Sequence, residues 1–158
     1  MAKKAWAPEG VEVKPIVHLA GVDLDGNRPV YIELTKIKGV KWMFAHAVCM
    51  ALGIDKWRKI GSLSEEELEK LEDAIKNPEK YGIPAWLYNR RKDPVDGKDK
   101  HLVGADLEFA MRQDIKREIE IGSWRGFRHK EGLPVRGQKT RSHHRRYKRT
   151  VGVQRQKK

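Results

Sequence analysis

Ser64-Glu65-Glu66-Glu67-Leu68-Glu69-Lys70-Leu71-Glu72-Asp73-Ala74-Ile75-Lys76 reads as an amphipathic helix, and its reading sets the fold class. The Ser64 hydroxyl can accept a hydrogen bond from the backbone three residues on. The Glu67 carboxylate can reach back to the N–H of Ser64, which completes a capping box. Three consecutive acids then lie at the positive end of the helix dipole. Leu68, Leu71 and Ile75 follow at helical spacing, and Pro78 bounds the far end.

Toward the C-terminus, Gly82, Pro84, Pro94, Gly97 and Gly104 interrupt residues 82–104, which read as a connector anchored by Trp86-Leu87-Tyr88. A second helix follows, with Asp106 as its candidate cap and Leu107, Met111, Ile115 and Ile119 four residues apart. Gly122 suits its left-handed C-terminal position. Ser123 can then cap a short helix over 124–131, ended by Gly132 and blocked by Pro134. Toward the N-terminus, the apolar run 42–52 predicts a buried helix closed by Gly53, and residues 30–34 an ordered segment before it. Asp23-Leu24-Asp25-Gly26-Asn27 is turn chemistry, residues 16–19 suit a short strand or extended edge, and residues 1–15 read as a loose arm. The expectation is a mainly α fold, with internal repeats not evident.

Charge divides the chain more sharply than any motif. Residues 1–124 hold 21 Lys and Arg against 21 Asp and Glu, whereas residues 125–158 hold 13 against the single acid Glu131. The whole net charge of +12 therefore lies in the last 34 residues. A generally basic protein would spread it, so a near-neutral body carrying a cationic arm is expected, with a polyanion as its partner. The domain reading is a flexible N-terminal arm over 1–15, a mainly helical body over 16–122 with an insertion at about 82–104, and over 123–158 a short helix and extended basic RNA-binding tail. Residues 133–158 contain no acid and few apolar residues, too few to offset their ordering entropy without a partner.

Three constellations bear on binding. In the arm, Arg136, Lys139, Arg141, Arg145, Arg146, Lys148, Arg149, Arg155, Lys157 and Lys158 are spaced by residues of little bulk. Arginine forks pair bidentately with phosphate, lysines act as point charges, and each phosphate engaged releases counterions. The alternative is a solvated tail or a localisation signal, which the neutrality of the body disfavours. Second, Arg125, Arg128, His129 and Lys130 share the short helix after Gly122, while Trp124 and Phe127 are placed to pack onto the body. A glycine inside a helix costs about 1 kcal/mol relative to alanine, so Gly126 implies close approach of something bulky. Third, Lys36, Lys38 and Lys41 surround the Gly39 turn before the 42–52 helix, where backbone N–H groups could meet a phosphate; a plain loop-to-helix junction fits that single glycine equally well.

Other chemistry finds no support. Cys49 is the only cysteine and sits among apolar neighbours, which suits a core thiol and precludes an internal disulfide. His143 and His144 are adjacent but far from Cys49, and His18, His46 and His101 have no partner at ligand spacing, so neither metal nor cofactor is expected. No catalytic pattern is present, and no apolar stretch approaches the roughly 20 residues of a membrane span. A soluble intracellular protein, not an enzyme, is the expectation.

The most specific stretch is Arg125-Gly-Phe-Arg-His-Lys-Glu-Gly-Leu-Pro-Val-Arg-Gly-Gln-Lys-Thr-Arg141. It closely resembles the signature of the small-subunit ribosomal protein family S-thirteen. Residues 20–30 look like that family's opening, Leu34-Thr-Lys-Ile-Lys-Gly-Val40 its first glycine turn, residues 83–93 the insertion of archaeal and eukaryotic members, and 150–153 their ending. Lys41 stands where the family often has a second glycine, and residues 142–149 are bulkier than in many relatives. The resemblance covers about residues 16–158. It implies a helix–two-turn–helix body with a long C-terminal extension in the head of the cytoplasmic small subunit. It also implies contacts with small-subunit rRNA through Arg125, Arg128, His129, Arg136, Lys139 and Arg141. Arg145, Arg146, Lys148 and Arg149 would approach peptidyl-site tRNA, and the implied protein partners are ribosomal proteins S-nineteen and L-five.

Two rivals belong to other classes. A DNA-repair glycosylase can contain the same helical module, but it would need a catalytic domain with a nucleophilic amine and an acid. A free RNA chaperone would bind many RNAs alike and would not require the specific 125–141 sequence.

Overall fold

The structure, a computed structural model, describes residues 5–140. Among these residues helices dominate, with one two-stranded sheet. The chain divides into two compact units, with the break between Leu107 and Glu108. No helix among the described residues is long and apolar enough to cross a membrane.

The first unit opens with a hairpin. Strands β1 (Ile16–Leu19) and β2 (Val22–Asp25) pair antiparallel, with Leu19 opposite Val22. The turn between them is Ala20-Gly21, both at positive φ (49° and 76°), the geometry of a tight hairpin turn. Val17, Leu19 and Leu24 face inward by strand alternation. The turn expected at Asp23-Leu24-Asp25 is thus corrected: these residues lie in β2, and only Gly26-Asn27 turns the chain after it. Acidic residues flanking an inward leucine satisfied the strand period despite their turn propensity. The segment expected as a loose arm makes specific contacts from Trp6 onward. The Trp6 indole N–H donates to Asp55 at 2.7 Å, and Lys14 N–H to the Gly61 carbonyl at 3.0 Å. Gly26 and Gly61 both press on the Lys14 carbonyl, where any side chain would overlap backbone.

Helix α1 (Val30–Leu34) forms from the segment expected only to be ordered, and α2 (Trp42–Ala51) follows the turn at residues 35–41. Phe44, Ala45, Val48 and Cys49 line one side of α2 and join Val30, Leu34 and Ile60 in the core. In α3 (Glu65–Lys76) the capping box forms as read: Glu67 N–H donates to Ser64 Oγ at 3.2 Å, and Ser64 N–H to Glu67 Oε2 at 2.9 Å. Glu67 also takes a two-pronged ion pair from Arg58, at 3.0 and 3.1 Å. Leu71, Ala74 and Ile75 bury the inner face of the helix.

The insertion is more built than a connector. Asn89 and Leu102 exchange two hydrogen bonds, and the Arg90 and Lys100 backbones pair beyond them. Asp93 gathers Arg90 and Lys100 at 3.2 Å each, and the Arg90 hydrogen bond, with help from Val95 N–H and Lys100, holds its carboxyl down at about 2. This loop seats His101 flat on Phe44, with ring centroids 3.6 Å apart. It also explains Gly39: at φ 100° that residue lies against the Leu102 carbonyl, where a Cβ would not fit.

In α4 (Gly104–Ile121) the helix begins two residues before its expected cap, so Asp106 sits inside the first turn. The apolar stripe 111–119 is not core; Met111, Ile115 and Ile119 are all exposed. Burial keeps the His101 imidazole neutral in the folded chain, its pKa pushed from 6.5 down to about 4. The unfolded chain gains that proton near 6.5 and the folded chain only near 4, so stability falls as pH drops through that window. Replacing His101 with Phe, which keeps the ring stack, is expected to remove this loss. Urea denaturation at about pH 7 and about pH 5 checks it, and an unchanged pH dependence would contradict the assignment.

Candidate nucleic-acid interface

In the second unit the candidate residues are held by α5 (Trp124–Lys130). Ser123 caps it, accepting the Gly126 N–H at 3.0 Å. The bulky neighbour implied by Gly126 is backbone: a Cβ there would overlap the Glu118 carbonyl in α4. That contact draws α5 tightly across α4 and leaves Trp124, Arg125, Phe127 and Lys130 exposed. Trp124 and Phe127 do not pack onto the body as expected. They stack on each other, centroids 5.6 Å apart, and Trp124 stays 72% exposed. The reason is geometric: Gly126 alone occupies the inward position of so short a helix.

Arg125 lies 3.7 Å from Glu118, while Lys130 is exposed and His129 half-buried, neither with a polar partner among the described residues. Arg128 has a structural duty. Its Nε donates to the Pro134 carbonyl at 3.0 Å, its guanidinium lies 5.8 Å from the Trp124 ring, and its own carbonyl accepts the Leu133 N–H at 2.8 Å. These bonds guide the chain out of α5 toward Arg136 and Lys139, both exposed. Arg128, His129 and Lys130 also sit favourably in the last turn, at the negative end of the dipole. A solvent-facing aromatic pair among cations can stack bases and neutralise phosphates together. The aromatic half was missed in the sequence; three-residue spacing around a lone glycine was the available signal.

The three lysines of the Gly39 turn have separate situations. Lys36 Nζ pairs at 2.6 Å with Glu33, whose side chain is fully buried. The Lys38 carbonyl accepts the Gly104 N–H at 2.9 Å. Lys41 is exposed at the N-terminal cap of α2. The turn's N–H groups at Lys36, Ile37 and Val40 already donate to the carbonyls of Glu33, Leu34 and Ile37, which weakens the phosphate reading for them. Arg141, Arg145, Arg146, Lys148, Arg149, Arg155, Lys157 and Lys158 lie outside the described residues. Among the described residues no group of three or more His, Cys, Asp or Glu could hold a metal ion. Burial pushes the Cys49 thiol up to about 11, far from a reactive thiolate.

Fold and surface together define a small, mainly helical protein whose body is charge-neutral and whose C-terminal end presents a basic, partly aromatic surface. Residues 18–146 match the family described as Ribosomal protein S13/S18, and the chain belongs to that family. It is 71% identical to "Small ribosomal subunit protein uS13" of Nanoarchaeum equitans, covering 97% of each chain. It is also 53% identical to the protein of that name from Methanopyrus kandleri, over 90% of this chain and 95% of the relative. The Methanothermobacter thermautotrophicus protein is 49% identical over 92% and 97%.

Gly126→Ala tests the α4–α5 contact. The added methyl meets backbone that cannot rotate away, so a loss of about 1–3 kcal/mol is expected on denaturant unfolding. A variant as stable as the parent would show that α5 is held otherwise.

Proposed function

We propose that this chain is a structural, non-catalytic component of the small ribosomal subunit that binds rRNA chiefly through α5 and the residues after it. The observation that carries the reading is the confinement of the net +12 to residues 125–158 of a chain in a ribosomal protein family. Relatives bearing a small-subunit name over nearly their whole length support the location, which is cytoplasmic.

The body, α1 and α2 about the Gly39 turn, serves as a helix–two-turn–helix platform in the subunit head. Arg125, Arg128, His129, Lys130, Arg136, Lys139 and Arg141 neutralise rRNA phosphates, with Lys36, Lys38 and Lys41 as a lesser contact from the body. The tail from Arg145 through Arg149 approaches peptidyl-site tRNA, and Arg155, Lys157 and Lys158 extend the same cationic run. The protein neighbours in this reading are ribosomal protein S-nineteen and, across the subunit interface, ribosomal protein L-five.

Sedimentation of the tagged chain from cell extract through a high-salt sucrose gradient tests the proposal. The full chain is expected to travel with the small subunit and a chain ending at Gly132 to dissociate in part. A full chain that remains at the top of the gradient would overturn the ribosomal assignment.

A further inference from the structure

The first unit carries an aromatic cluster that extends from the core, where Tyr31 packs, to the surface at Trp42. Tyr31 of α1 lies 5.1 Å from Trp42 and 6.4 Å from Trp57, centroid to centroid, with the rings tilted at 49° and 58°. His46 of α2 meets Tyr31 edge-on at 6.3 Å. Trp42, at the first position of α2, is 50% exposed, while Tyr31 and Trp57 behind it are half-buried. On the opposite side of the same helix Phe44 and Val48 are buried, so packing does not require an indole at position 42.

The polar atoms of this cluster are unspent. The Tyr31 hydroxyl, the Trp42 and Trp57 indole N–H groups and the buried His46 Nδ1 have no hydrogen-bond partner among the described residues. Trp6 differs, because its indole is committed to Asp55. Two lysines flank the rings. Lys56 Nζ sits 5.8 Å from the Tyr31 ring centroid, and Lys41 directly precedes Trp42. Neither has a carboxylate partner among the described residues. The nearby acid, Asp55, is held by Trp6 Nε1 and by the Trp57 N–H at 3.0 Å.

We propose that Tyr31, Trp42 and Trp57, with Lys41 and Lys56, form a stacking platform for an unpaired RNA base, a contact separate from α5 and the tail. The proposal rests on the RNA-binding reading above and deepens it. An exposed aromatic face such as that of Trp42 binds any base, because every base has a π face, and lysines without a carboxylate partner take the neighbouring phosphates. The free N–H and O–H groups add donors for the base edge or the ribose. A protein partner would need carboxylates to meet Lys41 and Lys56, whereas RNA brings a phosphate with every nucleotide. The two contacts divide the work: the C-terminal cations read backbone charge, and this cluster reads the presence of a splayed base.

Binding of the full chain to a single-stranded oligoadenylate RNA of about 12 nucleotides, and to a ribose-phosphate oligomer of equal length lacking bases, tests this. Trp42→Ala is expected to lose about tenfold in affinity for the oligoadenylate and nothing for the abasic oligomer. Trp42→Phe, which keeps a ring, should retain most of the affinity and controls for any misfolding of the alanine variant. The salt slope should be unchanged in Trp42→Ala and shallower in Lys56→Ala. Trp42→Ala binding both oligomers like the parent, or losing equally on both, would overturn the platform. Ultraviolet crosslinking in the assembled subunit that joined Trp42 to a polypeptide would overturn it too. A chain ending at Gly132 should weaken on both oligomers, so the tail's role can stand while the platform falls.

Discussion

Glu33 takes a carboxylate to a site closed to solvent, and its Oε2 ties the hairpin to the helices of the first unit. Oε2 accepts the Asp25 N–H at 2.9 Å and the Lys36 ammonium at 2.6 Å, whereas Oε1 has no hydrogen bond among the described residues and only Arg28 near it, at 3.8 Å. A buried carboxylate without such partners would be strongly destabilising. Its ligands come from the end of β2, from the turn after it and from the loop after α1, so one side chain joins the hairpin to the helix pair. The Lys36 pairing anchors the start of the turn that leads to α2. It also withdraws Lys36 from the pool of cations free to meet an anion.

The same economy runs through the body. Arg58 is spent on Glu67 and on the Ser62 carbonyl, and Arg90 and Lys100 on Asp93. Internal pairing of this kind is what equal numbers of acids and bases over residues 1–124 make possible. After Trp124 the acids run out. α5 leaves Arg125, Lys130 and its two aromatic rings exposed, with Gly126 its one buried residue against α4. In the proposed reading, a neutral body would dock without long-range repulsion from a neighbouring polyanion, while the cationic end would supply steering and most of the charge-dependent affinity.

Much of this was legible in the chain itself. The Ser64 capping box, the α2 core face, the Gly122 stop and the Ser123 cap follow from local chemistry, and each appears in place. The charge boundary at 124/125 and the 125–141 stretch led directly to the family. What failed was long-range. Asp23 and Asp25 were misplaced in a turn because strand pairing with His18 and Ile16 outweighed local propensity. The spacing of the α4 stripe marked a helix, but periodicity reports an apolar face and not what covers it. Trp124 and Phe127 were assigned inward because nothing local shows that a glycine takes the only inward position. The Tyr31, Trp42 and Trp57 cluster joins residues up to 26 positions apart, beyond the reach of spacing arguments.

The most direct measurement is the dependence of rRNA affinity on salt for the full chain and for a chain ending at Gly132. Residues 133–158 carry ten Lys and Arg, and each phosphate engaged contributes about −0.7 to −0.9 to the slope of log affinity against log salt. A steep slope is expected for the full chain and a much shallower one for the shortened chain. Equal slopes would mean that the body supplies the charge contacts, and would contradict the division of labour described for this protein.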